Sequence, residues 1–260
     1  MSADSLDGDD GEAVSETRVR ERLDRVTDPE LDTSIVDLEY IDSIRIDGDE
    51  VHVVFTLPTA WCSPAFAWMM ATDARDEVES LPGVSRATVE LREHMHEAEI
   101  NRGVNERLSF GEAFPDADGS VEPVRAELDE KARLSRQHDA TGALLDAGLD
   151  ADQIVGLTPS NVESDGDRAR VWLRDGDLAV TVDADPLDRY LEKASATGLL
   201  DDDHPELFRT PEGDPIDPDS FELVRHRTRA AGVNMSGQGS VCDALHDARQ
   251  AEDRPPLSSL

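Results

Sequence analysis

Hydrophobic residues change their spacing in a regular order along the first part of the chain. Valine and leucine residues lie three or four positions apart within 17–26, which predicts a short amphipathic helix. The segments 39–46 and 51–57 predict two strands, the second of them a mainly apolar run. The Asp47-Gly48-Asp49 step between them is typical of a hairpin turn. The pattern thus opens as a helix followed by a β-hairpin.

A second helix and a third strand follow the hairpin. The helix begins near residue 64 and repeats apolar side chains every four positions, at Phe66, Met70, Ala74 and Val78. Leu81-Pro82-Gly83-Val84 ends it, and residues 85–91 alternate between apolar and polar as a strand does. The first part of the chain is therefore predicted to be a compact α-β-β-α-β unit.

The second part of the chain is predicted to be mainly helical. Asp175-Gly176 lies between two apolar runs and predicts a hairpin there, with strands over 170–173 and 178–182. The predicted helices cover 126–147, 150–156, 186–197, 218–231 and about 240–250. The fold class is α/β in the broad sense, and more closely α+β.

These patterns divide the chain into five segments. Weak periodicity with glycine and proline residues predicts a linker between two ordered regions. The segments are an acidic disordered tail over 1–14, a first domain over 15–96, a linker over 97–124, a helical region over 125–252 and a tail over 253–260.

The net charge of the chain indicates most about its environment and its partners. The 260 residues carry 59 acidic and 25 basic side chains, a net charge of −34, and only Lys131 and Lys193 are lysines. We expect a halophilic protein, because a dense carboxylate surface keeps a chain dissolved where molar salt screens charges within about 3 Å. The same charge argues against nucleic acid or anionic membrane as a partner, since both require a cationic surface.

Other features of the sequence indicate a cytoplasmic protein. The first residues are acidic and polar, unlike a signal peptide, and no apolar run approaches the roughly 20 residues that span a bilayer. The two cysteines, Cys62 and Cys242, do not form a disulfide framework.

Candidate chemistry concentrates at Cys62. Ser63 followed by Pro64 is typical of a helix start, with serine as N-cap and proline at the first helical position. The helix dipole would favour a thiolate at Cys62, the form that binds metal or attacks an electrophile. The alternative is that Cys62 is a small buried apolar side chain.

The order of motifs in 16–93 resembles the MIP18 family (DUF59), whose members act in iron–sulfur cluster assembly or delivery. The resemblance depends on Asp28-Pro29-Glu30-Leu31, Ile35-Val36-Asp37-Leu38, the hairpin, Pro58-Thr59 with Cys62-Ser63, and Leu81-Pro82-Gly83-Val84. The chain departs from the family pattern at Glu39, where a glycine is usual, and this puts the local turn in doubt.

The resemblance implies a site around Cys62. Cys62 would be the reactive or metal-binding thiol, Asp28 and Glu30 would lie near it, and Thr59 would shape its loop. From the residues alone, capping a helix explains Asp28 and Glu30 better than a place in a site does.

Two further pairs of residues are candidate ligands. His94 and His96 would share a face if the third strand continued, and together they can ligate iron or zinc. Cys242 and His246 are four residues apart on a predicted helix, another usable ligand pair. We consider a joint site in which Cys62 and Cys242, with His246 or His96, hold one metal or cluster. The alternatives are solvated histidines and a packed Cys242.

The region 141–232 loosely resembles the catalytic domain of a tyrosine recombinase. Thr141-Gly142, Ala147-Gly148-Leu149 and Leu207-Phe208 carry this resemblance. However, Asp150 stands where such enzymes place an arginine, and the two tyrosines of the chain, Tyr40 and Tyr190, provide no C-terminal nucleophile. We therefore reject recombinase activity and expect no enzyme of that kind.

The sequence leaves three functions open. The first is an accessory factor, as a monomer or a homodimer, that delivers an iron–sulfur cluster or iron to apo-protein clients with Cys62 as a transient ligand. The second is a thiol redox protein with Cys62 as nucleophile. The third is an interaction adaptor whose cysteines are inert.

Overall fold

The computed structural model describes residues 14–117, 120–173, 176–200 and 205–232. It divides the chain into two compact units, with the boundary between Val121 and Glu122. The class is mixed α and β, as the sequence pattern predicts. None of the helices in the described ranges is long and apolar enough to cross a membrane.

The first unit is a three-stranded sheet with helices packed on it. Its elements are α1 (Glu16–Leu23), β1 (Thr27–Asp28), β2 (Thr33–Ser34), β3 (Ile41–Asp47), β4 (Glu50–Thr56), α2 (Pro64–Glu79), β5 (Arg86–Arg92), α3 (Glu97–Asn105) and α4 (Phe110–Ala113). β3 pairs antiparallel with β4, and β4 pairs parallel with β5 through the α2 crossover. The sheet order is β3-β4-β5.

Alternation along the strands places one face of this sheet in the core. α2 and α3 pack against β5, and α1 packs against α2. The fully buried side chains include Val53, Phe55, Met70, Val78, Val89 and Ile100. The Asp-Gly step that predicts the hairpin is present as a tight turn, in which Gly48 has φ of 65°.

The predicted linker over 97–124 differs from the structure. Residues 97–105 form α3, and its Ile100 and Val104 are part of the core of the first unit. The side-chain amides of Asn101 and Asn105 bond the main chain of β5 at Leu91 and Val89, with donor–acceptor distances of 2.8–2.9 Å. α3 therefore covers the edge of the sheet, whose backbone groups would otherwise lack partners.

The second unit combines helices with a small meander. Its elements are α5 (Glu122–Asp146), α6 (Ala151–Val155), β6 (Val162–Asp165), β7 (Arg168–Leu173), β8 (Leu178–Asp183), α7 (Asp185–Ala196) and a last helix, α8, described over 221–232. The strand order is β6-β7-β8, all antiparallel. The sequence predicts β7 and β8 but not β6, and it places the start of α5 four residues late.

Polar side chains are built into the core of the second unit. Arg133 is fully buried and bonds Glu130 and Gln137 on its own helix. The hydroxyl of Tyr190 donates to the carbonyl of Leu207 over 2.6 Å, and burial raises the pKa of Tyr190. Tyr190 is therefore a neutral core residue, since its proton is held both by burial and by this hydrogen bond.

Candidate functional site

The Cys62 loop connects β4 to α2 and is organised by Thr59. The hydroxyl of Thr59 accepts the N–H of Trp61 over 3.2 Å, and its carbonyl accepts the N–H of Cys62 over 3.4 Å. Ser63 occupies the N-cap of α2 with Pro64 at its first position, but the Ser63 side chain makes no capping bond. The loop places Cys62 just before the helix, half-buried and with a thiol rather than a disulfide.

His94 fastens this loop to the turn that follows β5. Its Nδ1 accepts the N–H of His96 over 3.2 Å, so the ring proton is on Nε2, which donates to the carbonyl of Cys62 over 3.0 Å. Burial lowers the pKa of His94, although the bond to Cys62 opposes that shift. Both ring nitrogens are thus used to position the main chain around Cys62.

The two loops share a further backbone bond, from the N–H of Met95 to the carbonyl of Ala60 over 3.1 Å. Trp61 is 76% exposed and Met95 is 54% exposed. These two large apolar side chains are on the two loops that this bond joins, and Trp61 directly precedes Cys62 in the chain. Sequence reasoning assigned no role to either of them. The feature of the sequence that indicates exposure is a tryptophan directly beside the candidate thiol, in a segment with turn residues.

His96 is placed differently from the sequence expectation. β5 ends at Arg92, and Glu93 turns the chain with φ of 55°, so His94 and His96 are not successive residues of one strand face. His96 is the N-cap of α3. Its ring packs edge-on against Phe114 at 5.6 Å, and its Nδ1 lies 4.0 Å from the Glu99 carboxylate.

Asp28 and Glu30 lie in the turn between β1 and β2. One Asp28 carboxylate oxygen accepts the N–H groups of Glu30 and Leu31, over 2.9 and 3.2 Å, and the other accepts the Tyr40 hydroxyl over 3.4 Å. Burial raises the pKa of Asp28, although these hydrogen bonds lower it. Burial and the Asp28 charge raise the pKa of Glu30. Asp28 therefore organises its own turn, as in the capping alternative.

The described candidate residues come from separate segments of the first unit. Thr59 and Cys62 share one loop, to which His94 is hydrogen-bonded. Asp28 ends β1, which packs against α2, and Glu30 follows in the turn to β2. In the ranges that the structure describes, no three His, Cys, Asp or Glu side chains are arranged to hold a metal ion. Cys242 and His246 lie outside the described residues, so the joint site stays a prediction.

Comparison with known proteins places this unit in a family. Residues 16–91 match the family described as "Iron-sulfur cluster assembly protein". The uncharacterized protein MJ1129 of Methanocaldococcus jannaschii is 36% identical over 96 residues, which span 36% of this chain and 98% of that protein. The match includes Asp28, Glu30 and Cys62 and extends from α1 to all but the last residue of β5, while His94 lies just beyond it. Through this domain, the chain belongs to the iron–sulfur cluster assembly protein family.

Proposed function

We propose that the protein is an accessory factor that delivers an iron–sulfur cluster, or iron, to apo-protein clients. Membership of the assembly family gives the general role, a part in iron–sulfur cluster assembly together with iron–sulfur client proteins. The observation that carries the finer proposal is the half-buried Cys62 thiol, held in a loop inside the matched domain.

Cys62 suits transient rather than permanent binding. A resident cluster normally takes four protein ligands, most of them cysteines. One thiolate can hold one iron of a passing cluster while a thiolate of the client replaces it, an exchange of ligands without oxidation or reduction. The cluster is therefore cargo in this proposal, and low ligand number favours its release.

The thiol-enzyme alternative has weaker support. A nucleophilic cysteine needs a base within hydrogen-bond reach. His94 is held close to the Cys62 main chain, but its two ring nitrogens already bond the Cys62 carbonyl and the His96 N–H. His94 is better suited to position the loop than to accept the thiol proton.

The adaptor alternative is supported by Trp61 and Met95. Tryptophan and methionine are enriched in protein–protein interfaces, and here both are exposed beside Cys62. A docking role for this face is compatible with delivery through Cys62 and with an adaptor whose thiol is inert. The two functions therefore differ in whether the thiol itself is needed.

The test is transfer to a client under anaerobic conditions in molar salt. The full chain is loaded with ferrous iron and sulfide, and transfer to an apo-ferredoxin is followed by absorbance for wild type, Cys62→Ser and Ser63→Ala. We expect Cys62→Ser to slow transfer at least tenfold. Ser63→Ala should transfer normally, because the Ser63 side chain makes no capping bond.

Equal transfer by wild type and Cys62→Ser would contradict delivery through this thiol and favour the adaptor. Cys242→Ser separates the joint site from a single-thiol site, since only the joint site predicts that this variant also fails. Circular dichroism of each variant checks that the fold is retained.

A further inference from the structure

A cationic cavity lies in the second unit. It has a volume of about 240 Å³, opens to solvent, and is lined by His138 of α5 and by four residues of α8, Glu222, Arg225, His226 and Arg229. Glu222 is the single carboxylate in this lining. In a chain of net charge −34, a cavity lined mainly by arginine and histidine runs against the general surface charge.

Two arginines line this cavity, Arg225 and Arg229, and both are on α8. Arg227, on the same helix, forms an ion pair with Glu212. Among the residues that the structure describes, Arg225 and Arg229 show no ion pair with a carboxylate, although Glu222 is only three residues from Arg225. The two guanidinium groups are four residues apart, on one face of α8, and both line the cavity.

Buried nitrogen atoms at the cavity also have unused hydrogen-bonding capacity. Nε of Arg225 and Nδ1 of His138 are buried and have no hydrogen-bond partner among the described residues. Burial lowers the pKa of His138, and the charges of Arg225 and Arg229 lower it further, although the nearby Asp139 carboxylate opposes the shift.

We propose that this cavity binds a doubly charged oxyanion, a phosphate group. Arginine binds phosphate through two parallel hydrogen bonds, and two guanidinium groups on one face match an anion with several acceptor oxygens. The cavity is several times the roughly 30 Å³ of one water molecule, so it admits a phosphate group and part of a small molecule attached to it. It is smaller than the ~300–1,000 Å³ pockets that enclose drug-sized ligands.

Inorganic phosphate is the probe, titrated into the full chain at constant ionic strength set with potassium chloride and followed by calorimetry. We expect saturable binding that weakens at least tenfold in Arg229→Gln, a change equivalent to about 1.4 kcal/mol. Arg227→Gln is the matched control, because it removes the same unit charge from the same helix but does not line the cavity. It should bind phosphate within twofold of wild type.

Arg225→Lys provides a second variant, which keeps the charge but loses the paired donors, and should also weaken binding. Repeating the titration with glycerol phosphate identifies the source of the group: tighter binding than inorganic phosphate indicates a phosphate monoester, and equal binding indicates the free ion. The proposal is overturned if wild type shows no saturable binding, or if Arg227→Gln weakens binding as much as Arg229→Gln does.

Discussion

Glu39 lies in a backbone conformation that favours glycine. Its φ is 55°, in the left-handed region, at the end of the turn that leads from Ile35 into β3. The family that the sequence resembles usually has a glycine here, and this conformation explains the preference. The turn is formed in spite of Glu39, with hydrogen bonds from Glu39 to Val36 and from Tyr40 to Ile35.

We expect Glu39→Gly to be more stable than Glu39→Ala by about 1 kcal/mol. Both variants lose the carboxylate, so the difference isolates the cost of a Cβ in the left-handed region, reduced by the greater freedom of glycine when unfolded. Chemical denaturation of the two variants measures it. Equal stabilities would show that the turn does not retain this φ.

His94 predicts a pH dependence of stability in the first unit. Its pKa in the folded protein is lowered from the ordinary value of 6.5, mainly by burial, so the unfolded chain binds the proton more readily. Its stabilising contribution is therefore complete above about pH 6.5 and is lost as the pH falls toward the lowered value. Protonation would also break the bond from the His96 N–H to Nδ1.

Denaturation from neutral to mildly acidic pH checks this expectation, with His94→Gln for comparison. Other groups titrate in the same range, so the informative quantity is the difference between the two pH profiles. The stability advantage of wild type over His94→Gln should shrink as the pH falls. An advantage that is constant with pH would mean that the pKa of His94 is the same in the folded and the unfolded protein.

At the scale of elements, α3 is the clearest difference between pattern and structure. Gly103 contributed to the expectation of a linker, but it lies inside the helix. A Cβ at Gly103 would lie 2.5 Å from the Trp68 ring and 2.7 Å from the Ala113 Cβ. The glycine is there because α3 passes close to Trp68, around which Phe110 and Phe114 also pack.

Gly103→Ala is therefore expected to destabilise the protein by about 2 kcal/mol. The overpacking against a rigid indole ring costs more than the ~1 kcal/mol that alanine contributes as the better helix former. Gly111→Ala is the matched control, because no atom lies within 4 Å of its added Cβ. Thermal unfolding should show a lower midpoint for Gly103→Ala and an unchanged or higher one for Gly111→Ala. The same change in both would contradict the close packing.

Local signals predict some elements well and others poorly. The Asp-Gly steps at Gly48 and Gly176 predict their hairpins because the turn chemistry lies in adjacent residues. A third such step, Asp165-Gly166, joins β6 to β7, and Gly166 has φ of 65°. The sequence analysis predicts no hairpin at this step. α3 was missed because its amides act on a strand at least ten residues away in sequence.

In the candidate site too, features set by neighbouring residues are predictable and those set by distant contacts are not. The Thr59–Cys62 loop is recognisable from its motif, because its hydrogen bonds are local. The role of His94 is not, because it depends on a contact between residues 32 positions apart. The exposure of Trp61 is likewise a property of packing, and a pattern of apolar residues would place such a side chain in the core.

At the scale of the whole molecule, charge is the dominant property. Some cations of the second unit have defined places, such as the buried Arg133 with Glu130 and Gln137, and the cavity arginines of α8. Most charged side chains of the chain are carboxylates, with 59 acidic residues against 25 basic ones. A high density of like charge destabilises a compact state through self-repulsion unless counter-ions screen it.

We therefore expect the thermal unfolding midpoint to rise when potassium chloride is raised from about 0.1 M to 1 M. Over this range the screening length falls from about 10 Å to about 3 Å, so repulsion between neighbouring carboxylates is progressively removed. Most of the rise should occur within this range, because screening then approaches the spacing of adjacent groups. Sucrose at matched osmolality is the control, since it strengthens burial without screening charge. A midpoint that rises equally in sucrose, or that does not change with salt, would show that carboxylate repulsion does not limit the stability of this fold.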